Sequence, residues 1–396
     1  MNYFLSDADN WRHLLPLTFT RPVGALRVGI STIQEKWTEM IGQEVGLITQ
    51  PHLEELFGAQ RRDEDVEINA SLLPNAELLE AVLWLEPGQS LVQEEKVLAI
   101  AYAGTEGPNE MHWERIPAYM QKVEFAGEVI SIDKPWKIFS ENRGVLITDF
   151  ERLISGRESQ ALSSSNSVIG DPLKVFLEKG AKVEHSILNT TEGPIYIGKE
   201  AEIMEGCLVR GPLAILEHGV LKMGCKVYGA TTVGPHSKVG GELNNVVIQG
   251  YSNKAHDGFL GNSVIGEWCN LGADTNNSNL KNNYGNVKVW SYAKEEMIDT
   301  GRQFCGLIMG DHSKCGINTM LNTGTVVGVA SNIFGGGFPP KFIPSFQWGG
   351  AAGFEEHQFE KAISTAREVM ARRGIELGTK EEALLKAVFN MSSARR

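Results

Sequence analysis

From Ile197 to Asn244 apolar side chains recur every six residues. The leading positions are Ile197, Ile203, Val209, Ile215, Leu221, Val227, Val233 and Val239, and the residues four places later, from Ala201 and Cys207 to Ser237 and Leu243, are mostly small. A helix needs an apolar residue every 3.6 positions and an ordinary strand every second one, so a strict period of six fits neither. It fits a solenoid with a triangular coil of three hexads, in which each leader points into a narrow shaft. The period returns in shifted frames at Val247, Phe259, Ile265 and Leu271, then at Met309, Cys315, Leu321 and Val327. Two phase breaks therefore interrupt one long prism.

The flanks read differently. Strands are expected at Asn2 to Leu5, Val45 to Thr49, Val66 to Asn69, Val97 to Tyr102 and Gly144 to Ile147, with helices over Ser31 to Ile41 and Pro51 to Phe57. Alternating strands and helices imply an α/β layer with a largely parallel sheet. Ser163 to Ser167 is the linker, and the prism begins near Val168. After Val327 the period ends in a loop of three glycines and two prolines. An amphipathic helix from Glu355 to Arg373 stops at Gly374, and Thr379 with Glu382 offers a capping box to a last helix. The expected domains are residues 1–160, 161–345 and a helical extension at 346–396.

Length and charge narrow the function. The 396 residues exceed one ordinary core, and 37 basic against 49 acidic side chains argue against nucleic acid or an anionic membrane as partner. No apolar run approaches a membrane span, and Asp7 and Asp9 stand where a secretory leader would be basic and then apolar, so the cytoplasm is expected. Cys207 and Cys225, one coil apart, should stack roughly 5 Å from each other as small fillers in a reducing compartment. No cysteine pair has the two-residue spacing of a zinc site.

Leu15–Pro16–Leu17–Thr18–Phe19–Thr20–Arg21–Pro22 resembles the segment after the glycine-rich loop of sugar-1-phosphate nucleotidyltransferases. The resemblance implies a Rossmann-like α/β fold, a nucleotide held by backbone amides and basic side chains, and Mg2+ on a carboxylate. This chain has Asp9–Asn10–Trp11–Arg12–His13 where the loop belongs, with no glycine. Arg12, Arg21, Arg27 and Lys36 are the basic candidates for the nucleotide, and Asp7, Asn142 and Asp149 are those for the metal. Either a divergent active transferase or a retained fold without nucleotidyl transfer satisfies these residues.

Residues 240–285 resemble the acetyltransferase half of the bifunctional enzyme that makes UDP-N-acetylglucosamine. The resemblance is carried by Ser252 to His256, Phe259–Leu260–Gly261, Ile265–Gly266, Asn270 to Ala273 and Asn279. It implies a nucleotidyltransferase-like domain followed by a left-handed parallel β-helix with C-terminal helices, and a homotrimer. Acetyl transfer to an amine needs a base, and histidine, with an ordinary pKa of about 6.5, suits that role. His256, in the first phase break, is the candidate base. By correspondence Asn270 and Asn279 orient the sugar and amine, and Gly272 and Ala273 lie near acetyl-CoA. The same asparagines also suit hydrogen-bonded ladders at β-helix corners.

Two basic positions of the family fall on Lys226, which keeps the charge, and Asn244, which loses it. Two tyrosines become Phe259 and Leu280. Lys254, Arg302 or Lys281 could replace the lost donors. Lys341 is a candidate for a CoA phosphate. The insertion Asn286 to Leu307 is read as a surface loop or as a lid over the CoA groove. The expected substrates are a glucosamine-1-phosphate-like sugar, acetyl-CoA and UTP. The rivals are a monofunctional acyltransferase on another sugar and a non-catalytic scaffold.

Overall fold

The computed structural model describes residues 1–59, 65–102 and 120–395. The chain divides into two compact units. The first comprises Met1–Leu14, Thr20–Leu26 and Ser31–Lys134, and the second comprises Leu15–Phe19, Arg27–Ile30 and Pro135–Arg396.

In the first unit a sheet is built around Asn2–Ser6, which pairs in parallel with Val45–Ile48 and Asp65–Asn69. Lys96–Ala101 joins antiparallel to Asp65–Asn69 and to Gln89–Gln93, and Gln121–Glu124 pairs in parallel with Gln89–Gln93, so the sheet is mixed with most of its described pairings parallel. The expected Ser31 to Ile41 helix forms over Ile33–Ile41. Its start is fixed by a capping box in which the Thr32 hydroxyl accepts from the Glu35 N–H and the Glu35 carboxylate accepts from the Thr32 N–H. Trp37, fully buried on that helix, donates its indole N–H to the Leu72 carbonyl. The second expected helix shrinks to Glu54–Phe57.

The second unit is the prism. Ile197 pairs with Ile215, and Ile215 with Val233, in parallel ladders, so these coils do contain three hexads. All eight leaders are at most 3% exposed and belong to one apolar cluster. The first face carries Ser167–Ile169, Ile187–Asn189, Leu208–Arg210 and Lys226–Tyr228. The second carries Ile195–Ile197, Leu213–Ile215 and Thr231–Val233, and the third Glu202–Ile203, Val220–Leu221 and Lys238–Val239. At the corner between second and third faces each coil places a non-glycine residue at positive φ. There the rings of His218, His236, Tyr251 and Trp268 stack at centroid distances of 4.8, 4.8 and 4.3 Å.

The first phase break is a shortened coil. Val233 pairs with Ile248 and Val239 with Lys254, so this coil is half a hexad short of the regular three. Glu242–Gly250 and Phe259–Glu267 run through the next corner as continuous strands, turning at Asn245 and Asn262 with φ of 54° and 47°. Asparagine tolerates that conformation better than other residues with a Cβ. The inward residues there are Val246, Ile248 and Leu260, so the expected frame at Val247 and Phe259 is off by one.

The expected strand Gly144 to Ile147 lies inside a 20-residue helix, Pro135–Ile154. Its buried positions Phe139, Asn142, Val145, Leu146, Asp149 and Phe150 repeat at helical spacing, and Gly144 faces solvent. The helix packs on the prism strands around Ala214, Ala230 and Leu216. The period also outlasts Val327, because Ile333 continues the shaft before the glycine and proline loop and Ile343 after it. Antiparallel pairing of Gln347–Gly350 with Gly353–Glu356 then ends the parallel ladder. The terminal helices are Phe359–Ala371 and Thr379–Met391. The second has Gly378 at its N-cap without a side-chain bond, so the capping box expected at Thr379 does not form. The insertion is not a bare loop: Lys288–Ser291 and Glu296–Asp299 form a hairpin in which Trp290 stacks on Phe342 at 4.3 Å.

If the shaft holds the prism together, Ile215→Ala, at a fully buried leader, should cost about 2–5 kcal/mol in urea unfolding. Leu208→Ala, at an outward position 49% exposed, should cost less than about 1 kcal/mol; equal costs would contradict this account.

Candidate active site

His256 projects from the corner that joins the third face to the first, between Asn253–Lys254 and Phe259–Glu267. It is exposed, and its ring makes no hydrogen bond or ion pair with any described residue. Its backbone carbonyl accepts from the Lys254 ammonium at 2.7 Å. Lys254, expected on the substrate side, points the other way. It occupies a leader position in register with Val239, is 2% exposed, and also donates to the Gly240 carbonyl at 3.2 Å. Burial lowers its pKa from 10.5 to about 8.

The other prism candidates spread over more than one face, with Lys226 and Phe259 on the first and Asn270 on the third. Lys226 is exposed and ion-paired with Glu242 at 3.4 Å, and it lines a groove of about 430 Å3 with Tyr228, Leu208 and Arg210. Phe259 pairs with Glu242 on the next coil. Asn270 is exposed between Asn253 and Lys314. Gly272 sits where a Cβ would come within 2.6 Å of the Gly316 backbone, which makes that corner a close backbone approach. The Ala273 carbonyl accepts from the Asn318 N–H at 2.8 Å. Lys341 donates to the Thr323 hydroxyl at 3.2 Å, and burial lowers its pKa.

Asn279 lies elsewhere, in a cavity of about 580 Å3 at the corner between first and second faces. Asn244, Asn245 and Asn262 line it too, with Arg143 from the Pro135–Ile154 helix and Arg302 and Gln303 from the insertion. Asn279 donates to the Asn262 side chain at 2.8 Å, a ladder contact of the kind the run of asparagines suggested. Arg302 pairs with Glu141 at 3.6 Å and Arg143 with Glu192 at 3.4 Å. Of the three replacements considered for the lost donors, Arg302 reaches this cavity and Lys254 does not. Asn245, Asn262 and Asn279 recur at one constant interval, just under three hexads, a spacing that could have flagged the corner from sequence. Nothing in the sequence flags Arg143.

The nucleotide and metal candidates are divided between the two units. Asp9 to His13 forms a one-turn helix, Asn10–His13, in place of an amide-lined loop. Arg12 is exposed beside the Trp11 ring, while Arg21 and Lys36 are buried in the first unit. Arg27 belongs to the second unit, where its backbone N–H donates to the Gln249 side chain and its guanidinium to the Ile30 carbonyl. Asn142 and Asp149 are on the Pro135–Ile154 helix, accepting from the Gly29 and Ile30 N–H groups at 2.7 and 2.8 Å. Gly29 has φ of 74°, and a Cβ there would collide with Asp149 and Val145. These two residues clamp the Arg27–Ile30 segment and are not placed as metal ligands.

Asp7, at the carboxyl end of the first strand, is 1% exposed and accepts from the Val23 N–H at 2.7 Å and the Thr49 hydroxyl at 2.6 Å. Burial outweighs those bonds and raises its pKa to about 7. Among the described residues no three His, Cys, Asp or Glu gather as a metal cluster. All five cysteines are buried and free, as fillers would be.

Residues 3–158 match the family described as sugar nucleotidyl transferase. The bifunctional sugar-1-phosphate nucleotidylyltransferase/acetyltransferase of Sulfurisphaera tokodaii is 29% identical over 216 residues, 54% of this chain and 47% of that one. Over these stretches the chain is similar to a sugar nucleotidyl transferase family and to such a bifunctional protein. The bifunctional protein GlmU of Methanococcus aeolicus is 34% identical over 87 residues, 22% of this chain and 20% of that one. The matched region thus spans about half or less of these curated relatives. The solved polySia specific acetyltransferase NeuO aligns over 54% of this chain and 99% of its own at 14% identity, with a TM-score of 0.29. No described helix is long and apolar enough to cross a membrane.

Asp7 yields a signed prediction. Its folded pKa lies above the ordinary 3.8, so the folded form holds a proton that the unfolded form releases, and its contribution to stability falls as pH rises from about 4 to about 7. Asp7→Asn, which mimics the neutral carboxyl, should gain up to about 4 kcal/mol of unfolding free energy at pH 8 and nothing at pH 4. No gain at pH 8 would mean that the ionised carboxylate is fully matched.

Proposed function

We propose that the prism transfers the acetyl group of acetyl-CoA to the amine of a glucosamine-1-phosphate-like sugar, with His256 as general base. The observation that carries this reading is an exposed imidazole, free of partners, on a corner whose backbone is held from inside. As the amine nitrogen bonds to the thioester carbon, His256 takes its proton, and the collapsing intermediate expels CoA thiolate, which recovers that proton. Lys226, Phe259, Asn270 and Asn279 are the sugar-side residues of this reading, and Gly272, Ala273 and Lys341 those on the CoA side. The polar cavity around Asn279 and Arg302 suits a hydroxylated ligand with an anionic substituent. In the same proposal the first unit joins the product to UTP, which the family match over residues 3–158 supports. The Asn10–His13 helix and the buried Asp7 favour the second reading, an acyltransferase whose first unit does not transfer nucleotides.

Purified protein given glucosamine-1-phosphate, acetyl-CoA, UTP and Mg2+ should release free CoA, and His256→Ala should lower that rate at least about 100-fold. Pyrophosphate released alongside CoA supports the bifunctional form, and CoA alone selects the second reading. CoA release unchanged by His256→Ala would overturn the base assignment.

The proposal also includes a homotrimer. Ile169, Ile187, Leu208 and Tyr228 expose 49, 41, 49 and 37% of their surfaces along the first face, an apolar stripe of the kind that marks association. Sedimentation at three chain masses is expected, and a monomer at micromolar concentration would count against it.

A further inference from the structure

The shaft column of the third face runs Ile203, Leu221, Val239, Lys254, Leu271, Cys315 and Ile333, one ionisable amine in an apolar stack. An ammonium there has lost its water and must find acceptors within the protein. It finds the Gly240 carbonyl at 3.2 Å and the His256 carbonyl at 2.7 Å. Two other carbonyls of this corner are served by backbone: Asp257 accepts from the Asp274 N–H and Gly258 from the Glu242 N–H. The His256 carbonyl takes its bond from Lys254 alone among the described residues.

The reason lies in the shortened coil. Lys254 follows Val239 half a hexad sooner than Val239 follows Leu221, and the chain reaches the His256 corner without the regular ladder that serves carbonyls elsewhere. A donor from the shaft then takes its place, and a charged one bonds more strongly than a neutral one. An apolar leader would fill the same volume but leave that carbonyl unheld.

We propose that Lys254 is a positioning residue for His256: by gripping the His256 carbonyl from inside the shaft, it fixes the direction in which the imidazole leaves the prism. This rests on the reading of His256 as the base. Lys254 does not touch substrate in this account. Its lowered pKa of about 8 leaves the ammonium mostly protonated at neutral pH.

The test uses the full-length protein and Lys254→Met, which fills the shaft as the other leaders do and carries no donor. The His256 ring signal, assigned by its loss in His256→Ala, should shift or broaden in the NMR spectrum of Lys254→Met, with the other eight histidines as internal controls. The kcat for acetyl transfer should fall about tenfold to a hundredfold while the KM for acetyl-CoA stays within about twofold. A ring signal and kcat both matching the parent would overturn the proposal. If His256→Ala keeps parental turnover, the base reading fails, and the ring signal alone still decides whether Lys254 holds the corner. Should Lys254→Met not fold, Lys254→Gln, with a shorter neutral donor, takes the same two measurements and should fall between parent and loss.

Discussion

Leader side chains, almost all apolar, stacked coil upon coil in a narrow shaft are the constraint from which the rest of this chain follows. Each coil brings three strands to the shaft, and a leader replaced or displaced on one coil leaves a gap against the leaders above and below. Variation is therefore pushed outward and into the corners. The chain departs from regularity there and at its ends: the shortened coil at Asn245, the hairpin between Leu280 and Phe304, and the terminal helices that follow Phe346. Candidate chemistry sits in the corners for the same reason, since a corner is the place where a side chain can leave the wall without emptying the shaft.

The regular part of this architecture was legible because its period is local and strict. Ile197 to Val239 could be assigned to the shaft without knowing any neighbour, and every one of those leaders is buried. The shifted frames were less legible because a one-position turn at a corner moves the register by an amount that hydropathy does not record: Val246, Val247 and Ile248 are all apolar, and only the pairing of Val233 with Ile248 says which of them faces in. Gly144 to Ile147 looked like a strand for a related reason. Its apolar run is one stretch of a long helix whose other buried positions include Asn142 and Asp149, polar residues that obscure the 3.6-residue pattern. Those two are polar because they bind the N–H groups of Gly29 and Ile30, partners far away in sequence that no local pattern announces.

The candidate site was legible in its residue types and less so in its geometry. Ser252 to His256 identifies a corner, but the direction of each side chain depends on which residue of the pair Asn253–Lys254 pairs inward. A lysine is ordinarily an outward residue, so the sequence favours placing Lys254 on the substrate side. The register with Val239 reverses it. Asn279 similarly reads as part of the His256 neighbourhood, yet it falls at the opposite end of the first face, among asparagines spaced one coil apart. His256 and Asn279 thus lie at opposite corners of the first face and on successive coils of a single chain. A ligand that touches both must either span that face or be completed by a second copy laid against it, and the exposed stripe from Ile169 to Tyr228 makes the second arrangement physically reasonable.

The first unit poses the opposite problem, a recognisable family segment several of whose candidate residues are buried. Nucleotidyl transfer requires positive charge and a cation where phosphates sit, and open α/β sheets gather such groups beyond the carboxyl ends of their strands. Here that edge holds Asp7 and Asn69, both engaged in neutral hydrogen bonds: Asp7 with Val23 and Thr49, Asn69 with Asn10 and Ser71. The two most deeply buried candidate cations, Arg21 and Lys36, are enclosed by the fold rather than held at its surface. A carboxyl that burial keeps protonated up to about pH 7 is a poor partner for a divalent ion until something desolvated and positive arrives to pull its pKa back down. If nucleotide binding occurs in this unit, it must therefore bring its own charge compensation, and the ionisation of Asp7 becomes a consequence of binding rather than a precondition for it.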